Sequence, residues 1–205
     1  MSPKKKLELN TNKKILLRFV ALIVLGILVQ IGATYLLNGI MESFAPLANT
    51  NEEYNQLIDN LTQNDLRIMV HVMLIAPLLE EAVFRFAFIG LGLKIWNDKR
   101  EEPSTIKRFW ILNIISSLLF GIYHGNIVQG IYGFLLGMML GYIYFYLGKY
   151  LASLVVHMVI NTSGLYLTGY LPSSMKPAIM IVIGSIVMLI CIALLKCVQK
   201  YSQEY

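Results

Sequence analysis

Charge is what this sequence has least of. Only 14% of its 205 residues are Asp, Glu, Lys or Arg, while 57% are hydrophobic. Soluble domains carry about 25% charged residues, so this composition excludes an ordinary soluble domain. At roughly 20 residues per crossing, the length allows five to seven membrane-spanning helices and no separate soluble domain. We expect a single all-α integral-membrane domain over residues 1–205, a polytopic bundle of about six transmembrane helices.

Cysteine and several protease motifs are scarce or missing as well. The two cysteines, Cys191 and Cys197, lie in one apolar segment and form neither a disulfide pattern nor a metal-binding pattern. The net charge of +5 comes from basic residues that cluster at helix ends, so it does not indicate a nucleic-acid partner. The sequence has no membrane-embedded Gly-x-Ser-x-Gly, no intramembrane Asp pair and no His-Glu-x-x-His. These absences disfavour the serine, aspartyl and zincin mechanisms of proteolysis.

Charged residues divide the chain into six apolar segments that we predict to cross the membrane. They are residues 15–37, 66–93, the two halves of 109–148 around a turn at 124–126, 150–168 and 178–198. The positive-inside rule then places both termini, the basic loop 94–108 and Lys149 in the cytoplasm. The acidic segment 41–65, with a capped surface helix near 50–58, falls outside. We therefore expect a multi-pass protein of the cell membrane.

Three charged residues lie deep inside the second apolar segment, far from its ends, and mark a site. An ionised side chain at bilayer depth costs at least about 2.5–3.5 kcal/mol, which makes Glu80, Glu81 and Arg85 too costly to lack a role. The spacing of four predicts that Glu81 and Arg85 form an ion pair, which lowers the cost of burying both. Glu80 is rotated by about 100° from Glu81 and would face the bundle interior. A desolvated carboxylate there suits general acid or base chemistry.

Two histidines and an asparagine complete the polar set. His124 ends the third segment, and His157 lies in the fifth, four residues before Asn161. The spacing of four puts His157 and Asn161 on one helix face, where Asn161 can hydrogen-bond the imidazole or share its target. The histidines would bind a metal, hold a water or supply an oxyanion donor. Hydrolysis by an activated water needs such a set.

The three patterns, taken in order, resemble a known family. Glu80-Glu81-x-x-x-Arg85, Phe120-x-x-x-His124 and His157-x-x-x-Asn161 are similar to the motifs of the CAAX-protease and bacteriocin-processing (CPBP, or Abi) family of intramembrane proteases. The resemblance covers about residues 66–170 and implies cleavage of a peptide bond at or in the membrane.

The resemblance also implies roles for the motif residues. Glu80 would activate the water, His124 would polarise or orient, and His157 and Asn161 would form the oxyanion site. Glu81 and Arg85 would support them. A divalent metal such as zinc, held by Glu80, His124 and His157, is left open by the resemblance. The short chain is more similar to the bacterial members, which are associated with bacteriocin self-immunity or peptide maturation.

Two other functions stay open beside the protease. The protein would act by binding alone, as an immunity protein that masks a bacteriocin receptor, or as a small proton-coupled carrier with the glutamates as its relay. Carriers often contain an internal repeat, and none relates residues 15–93 to 109–198. Expected partners are the lipid bilayer and a peptide or membrane-protein substrate. The oligomeric state does not follow from the sequence.

Two expectations concern how the segments meet. Gly133, Gly137 and Gly141 form a smooth face on the fourth segment, which favours close packing within the chain over a homodimer seam. We also predict that the catalytic set lines a water-filled cavity near the midplane. To bring His124 to that level, the turn after it must dip into the bilayer, or the third segment must tilt.

Overall fold

Six helical segments make up the computed structural model, which describes residues 11–44, 49, 52, 56, 65–98, 105–148, 150–167 and 175–203. The described part of the chain contains no strand. The helices are α1, Thr11–Glu42; α2, 66–98; α3, Thr105–Tyr123; α4, Ile127–Ile143, continued by a π-helical end, Tyr144–Gly148; α5, Tyr150–Leu167; and α6, Pro177–Gln203. Each predicted apolar segment is thus confirmed as a helix. Most of the predicted surface helix, residues 99–104 and Lys149 lie outside the described residues.

Four helices are long and apolar enough to cross a membrane. They are Asn12–Glu42, Thr105–Tyr123, Ile127–Gly148 and Pro177–Lys200. The predicted all-α membrane bundle is therefore confirmed. The helices that carry the glutamates and His157, α2 and α5, are not among these four. Their crossing of the membrane stays a prediction.

The apolar core lies where α1, α4, α5 and α6 meet. It contains twelve buried side chains, among them Leu25, Val29, Leu140, Val156 and Ile160. Helix α1 packs along α6 and α5, while α3 packs along α4 and α2. Burial of these aliphatic side chains holds α5 in one rotation against α1. It thereby determines which face of α5 points away from α1.

Glycines bring α4 close to α3. A Cβ atom on Gly137 would lie 2.9 Å from Cβ of Ser117, and one on Gly141 would overlap the side chain of Asn113. The close packing within the chain that the glycine spacing predicted is confirmed by these contacts.

The turn between α3 and α4 lies at the predicted residues. Gly125 has φ +66°, a left-handed conformation that glycine adopts without steric cost. Oδ1 of Asn126 then accepts hydrogen bonds from the backbone N–H groups of Val128 at 2.8 Å and Gln129 at 3.3 Å, which caps α4. His124 is therefore held in a fixed turn at the end of α3.

Helix α2 departs from the regular α-helix that its sequence suggests. It runs as α-helix Leu66–Val70, π-helix His71–Ile75, α-helix Ala76–Glu80, π-helix Glu81–Leu91 and α-helix Gly92–Asp98. The change of register falls beside Pro77, which has no N–H for the α-helical ladder. π-Helical turns, which are wider than α-helical turns, are common at functional sites. In α2, one π-helix precedes Glu80 and the other contains Glu81 and Arg85.

Candidate active site

Glu81 and Arg85 form the buried base of the site. Both are 0% exposed, and Nη1 of Arg85 lies 3.4 Å from Oε1 of Glu81. Nη2 of Arg85 donates to the carbonyl oxygen of Gly137 at 3.3 Å, and the guanidinium carbon lies 4.5 Å from the centre of the Phe120 ring. The predicted ion pair is confirmed, and a cation–π contact adds to it. Each buried charge therefore has a compensating neighbour.

His157 stands between the two adjacent carboxylates. Its Nδ1 lies 2.9 Å from Oε1 of Glu81, and its Nε2 lies 3.5 Å from Oε2 of Glu80. A carboxylate that is paired with an arginine accepts hydrogen bonds. Nδ1 of His157 therefore carries the ring hydrogen, and this N–H group donates a hydrogen bond to Glu81. Nε2 consequently faces Glu80, whose side chain keeps 11% exposure against 3% for that of His157.

His124 is connected to this cluster indirectly, through the ring of Phe120. The Phe120 ring contacts the imidazole of His124 at 4.8 Å and that of His157 at 5.8 Å between ring centres, each edge-to-face. Nδ1 of His124 lies 2.8 Å from the carbonyl oxygen of Phe120, to which it donates. Gly133 lies beside this ring, since a Cβ atom there would be 3.4 Å from Nδ1, at van der Waals contact.

Asn161 does not join the histidine as its spacing predicted. Its Nδ2 donates to the backbone carbonyl oxygen of Val72 at 2.9 Å, in the first π-helical turn of α2. The predicted hydrogen bond from Asn161 to the imidazole is therefore not formed, and a target shared with His157 stays a prediction. The spacing gave the face of α5 correctly, but it carried no information about which backbone group α2 presents there.

The described side chains do not gather around a metal ion. No group of three or more His, Cys, Asp or Glu residues among them is arranged as a ligand set. Both ring nitrogens of His157 face carboxylates, and Nδ1 of His124 is taken by a backbone carbonyl. A metal held by Glu80, His124 and His157 stays a prediction.

Phe120 is the functional neighbour whose contacts the sequence did not reveal. Its side chain is 2% exposed and touches the guanidinium of Arg85 and both imidazoles. The only signal was its place four residues before His124, which puts the two rings on one helix face. Ser116 was also missed, and its hydroxyl donates to the carbonyl oxygen of Phe84 at 2.8 Å.

Two cavities in the described part of the chain lie away from this site. One of about 300 Å³ is lined by residues of α1 and α6, namely Leu17, Arg18, Ala21, Cys197 and Val198. Another, of about 40 Å³, lies between α1, α4 and α6, around Ala33 and Tyr132. The water-filled cavity around His157 stays a prediction.

One comparison with known proteins bears on this site. A family model described as type II CAAX prenyl endopeptidase, Rce1-like, matches residues 62–163. The matched segment contains both glutamates, Arg85, both histidines of the cluster and Asn161. No curated protein and no solved structure matches the chain significantly.

Proposed function

This chain belongs to the CAAX-protease and bacteriocin-processing family, and on that premise we propose that it is an intramembrane endopeptidase that works through an activated water. The observation that carries the proposal is the imidazole of His157 between the carboxylates of Glu80 and Glu81. The two carboxylates beside this imidazole have different surroundings. One can accept a proton from the water and the other can orient the imidazole, and hydrolysis needs both functions.

Glu80 is the proposed proton acceptor. It is the more accessible of the two acids, since its side chain is 11% exposed and that of Glu81 is 0% exposed. As a water attacks the scissile carbonyl carbon, the carboxylate of Glu80 takes one of its protons. It then passes that proton to the leaving amine nitrogen as the C–N bond breaks, so that water and peptide give a carboxylic acid and an amine.

Glu81 acts through His157. By accepting the Nδ1 proton at 2.9 Å, Glu81 fixes the tautomer of the ring and directs Nε2 toward Glu80 and the water. Arg85 keeps Glu81 ionised, because burying a lone carboxylate would favour its neutral form. Glu81 and Arg85 are thus positioning residues rather than reacting groups.

His124 takes the remaining proposed role. Nδ1 of His124 donates to the Phe120 carbonyl, so its Nε2 is an acceptor, and we assign it to orienting the water by accepting one of its hydrogens. The amide of Asn161 donates to the Val72 carbonyl oxygen, so the oxyanion role that the family resemblance implies for Asn161 is not part of this proposal.

The substrate is proposed at the level of chemical class. The matched family model concerns prenyl endopeptidases, which favours a peptide whose lipid group anchors it in the bilayer. Bacteriocin self-immunity or peptide maturation is the proposed biological setting. We also propose that the protein resides in the cell membrane with both termini in the cytoplasm, where its basic loops would lie.

Cleavage of a membrane-anchored reporter by purified protein in liposomes tests this function. A prenylated peptide ending in a CAAX sequence and the same peptide without the prenyl group serve as substrates. Glu80→Gln should abolish cleavage without lowering the amount of inserted protein. Leu79→Ala, at the adjacent lipid-exposed position with 58% exposure, is the matched control and should retain activity. Full activity of Glu80→Gln would contradict the proposal.

A binding protein without catalysis gives a different result in cells. If the protein protects by masking a receptor, Glu80→Gln that accumulates normally would keep the protective phenotype. A proton-coupled carrier would instead show proton flux in the same liposomes in the absence of peptide cleavage.

A further inference from the structure

One backbone carbonyl of α2 has no donor in its own helix. In the first π-helical turn, the N–H of Ala76 bonds to the carbonyl oxygen of His71, five residues earlier. In an α-helical register that N–H would have gone to Val72. The next residue in the π-helical register would donate to Val72, but it is Pro77, which has no N–H. The π-helical register therefore leaves the Val72 carbonyl oxygen without a donor from its own helix.

Asn161 supplies the missing donor from the neighbouring helix. Its Nδ2 lies 2.9 Å from the Val72 carbonyl oxygen, at ordinary hydrogen-bond distance. An unpaired carbonyl in an apolar bundle is costly, because no water is present to replace the bond. Asn161 lies one helical turn after His157, on the same face of α5. That face therefore contacts Val72 through Asn161 and both glutamates through His157.

We propose that Asn161 is a positioning residue that replaces the N–H group Pro77 lacks. Its bond to Val72 stabilises the π-helical turn before Pro77, and this turn sets the direction in which Glu80 and Glu81 leave α2 toward His157. The effect on activity rests on the proposed function, whereas the effect on the helix does not.

A second bond holds α2 on the other side of the glutamates. The hydroxyl of Ser116, on α3, donates to the carbonyl oxygen of Phe84 inside the second π-helix. Helix α2 is thus fixed at Val72 by α5 and at Phe84 by α3, with Glu80 and Glu81 between the two attachment points. Loss of either bond removes one of the attachments that hold the segment that carries the carboxylates, beside the bond from the Tyr150 hydroxyl to the Leu78 carbonyl oxygen.

An oxyanion donor and a positioning amide respond differently to a change at Pro77. Pro77→Ala restores an N–H within reach of the Val72 carbonyl and leaves every group that would touch substrate in place. If the role of the Asn161 amide is to bond the Val72 carbonyl, Pro77→Ala should therefore make Asn161 dispensable. It cannot replace an amide that donates to the substrate.

The test measures the melting temperature and the reporter cleavage of purified full-length protein. We expect Asn161→Ala to lower the melting temperature by about 3–6 °C and activity at least tenfold, because it leaves a buried carbonyl unpaired. Pro77→Ala combined with Asn161→Ala should regain most of both losses. Pro177→Ala combined with Asn161→Ala is the matched control and should regain neither, since Pro177 is the first residue of α6, where no helical N–H is needed.

The outcomes separate this inference from the proposed function. An unchanged melting temperature in Asn161→Ala, with activity lost and no rescue by Pro77→Ala, would overturn the positioning role and support direct oxyanion contact. If the wild-type protein cleaves no reporter, the proposed function fails. The pattern of melting temperatures across the same variants then still decides whether Asn161 replaces the missing N–H.

Discussion

Glu81 and His157 are joined by a 2.9 Å hydrogen bond across 76 residues of sequence. The bond gives two neighbouring acids different surroundings, because Glu81 also faces Arg85 at 3.4 Å while Glu80 faces the other nitrogen of the same ring. A motif of two adjacent glutamates thereby supplies one buried acid that bonds the imidazole and one more accessible acid, which in the proposed mechanism accepts a proton from the water.

Removal of the arginine should destabilise the protein rather than only inactivate it. Arg85→Ala leaves the carboxylate of Glu81 buried without its cation, a change that typically costs about 3–5 kcal/mol. We expect less inserted protein and a lower melting temperature, measured on membranes and on purified protein. Arg67→Ala is the matched control, since Arg67 lies on the same helix with 93% side-chain exposure. Equal losses in both variants would contradict the assigned role of the buried pair.

The effects of losing Glu80 and of losing His157 on the cleavage rate should not be additive. Both groups are proposed to serve one water molecule, and groups that act as a unit show strongly non-additive effects on rate. Glu80→Ala and His157→Ala should each abolish reporter cleavage, and the double variant should be little worse than either. Rate constants for the three variants, corrected for the amount of folded protein, provide the measurement. Two partial losses that multiply in the double variant would argue against a shared site.

Phe120→Leu should impair catalysis more than its effect on stability explains. The substitution removes the aromatic face above Arg85 and the ring that both imidazoles contact, although it keeps an apolar side chain in the core. Phe109→Leu is the matched control on the same helix, because Phe109 is also buried and stacks on Phe145 at 4.1 Å, away from the site. Similar melting temperatures with activity lost only in Phe120→Leu are expected. Equal activity in the two variants would remove Phe120 from the site.

The helices and one of the contacts in the site could be read from the sequence. Uncharged runs define the helices because a charge inside the bilayer is costly, and the spacing of Glu81 and Arg85 predicts their pairing because side chains four apart are neighbours on a helix. The partner of Asn161 could not be predicted in this way. It depends on the π-helical register before Pro77, which leaves the Val72 carbonyl oxygen for Asn161 to bond.

The position of His124 shows the same limit. Its depth, counted along straight helices, disagreed with that of the other site residues. The structure connects it to His157 through the Phe120 ring, within a turn that Gly125 and the Asn126 cap hold in place. Such a contact depends on how α3 packs against α2 and α5, which residue spacing on one helix does not describe.

Removal of divalent metal should leave cleavage unchanged. The described residues present no group of three His, Cys, Asp or Glu side chains arranged as ligands, and the two nitrogens of His157 already face Glu81 and Glu80. In the proposed mechanism, Glu80 activates the water through proton transfer alone. Reporter cleavage by purified protein should be the same before and after dialysis against a strong chelator, with a zinc-dependent protease treated in parallel to show that the chelator works. Loss of activity that returns on addition of zinc would instead require His157 to exchange a carboxylate for the metal, and would replace the proposed mechanism with a metal-assisted one.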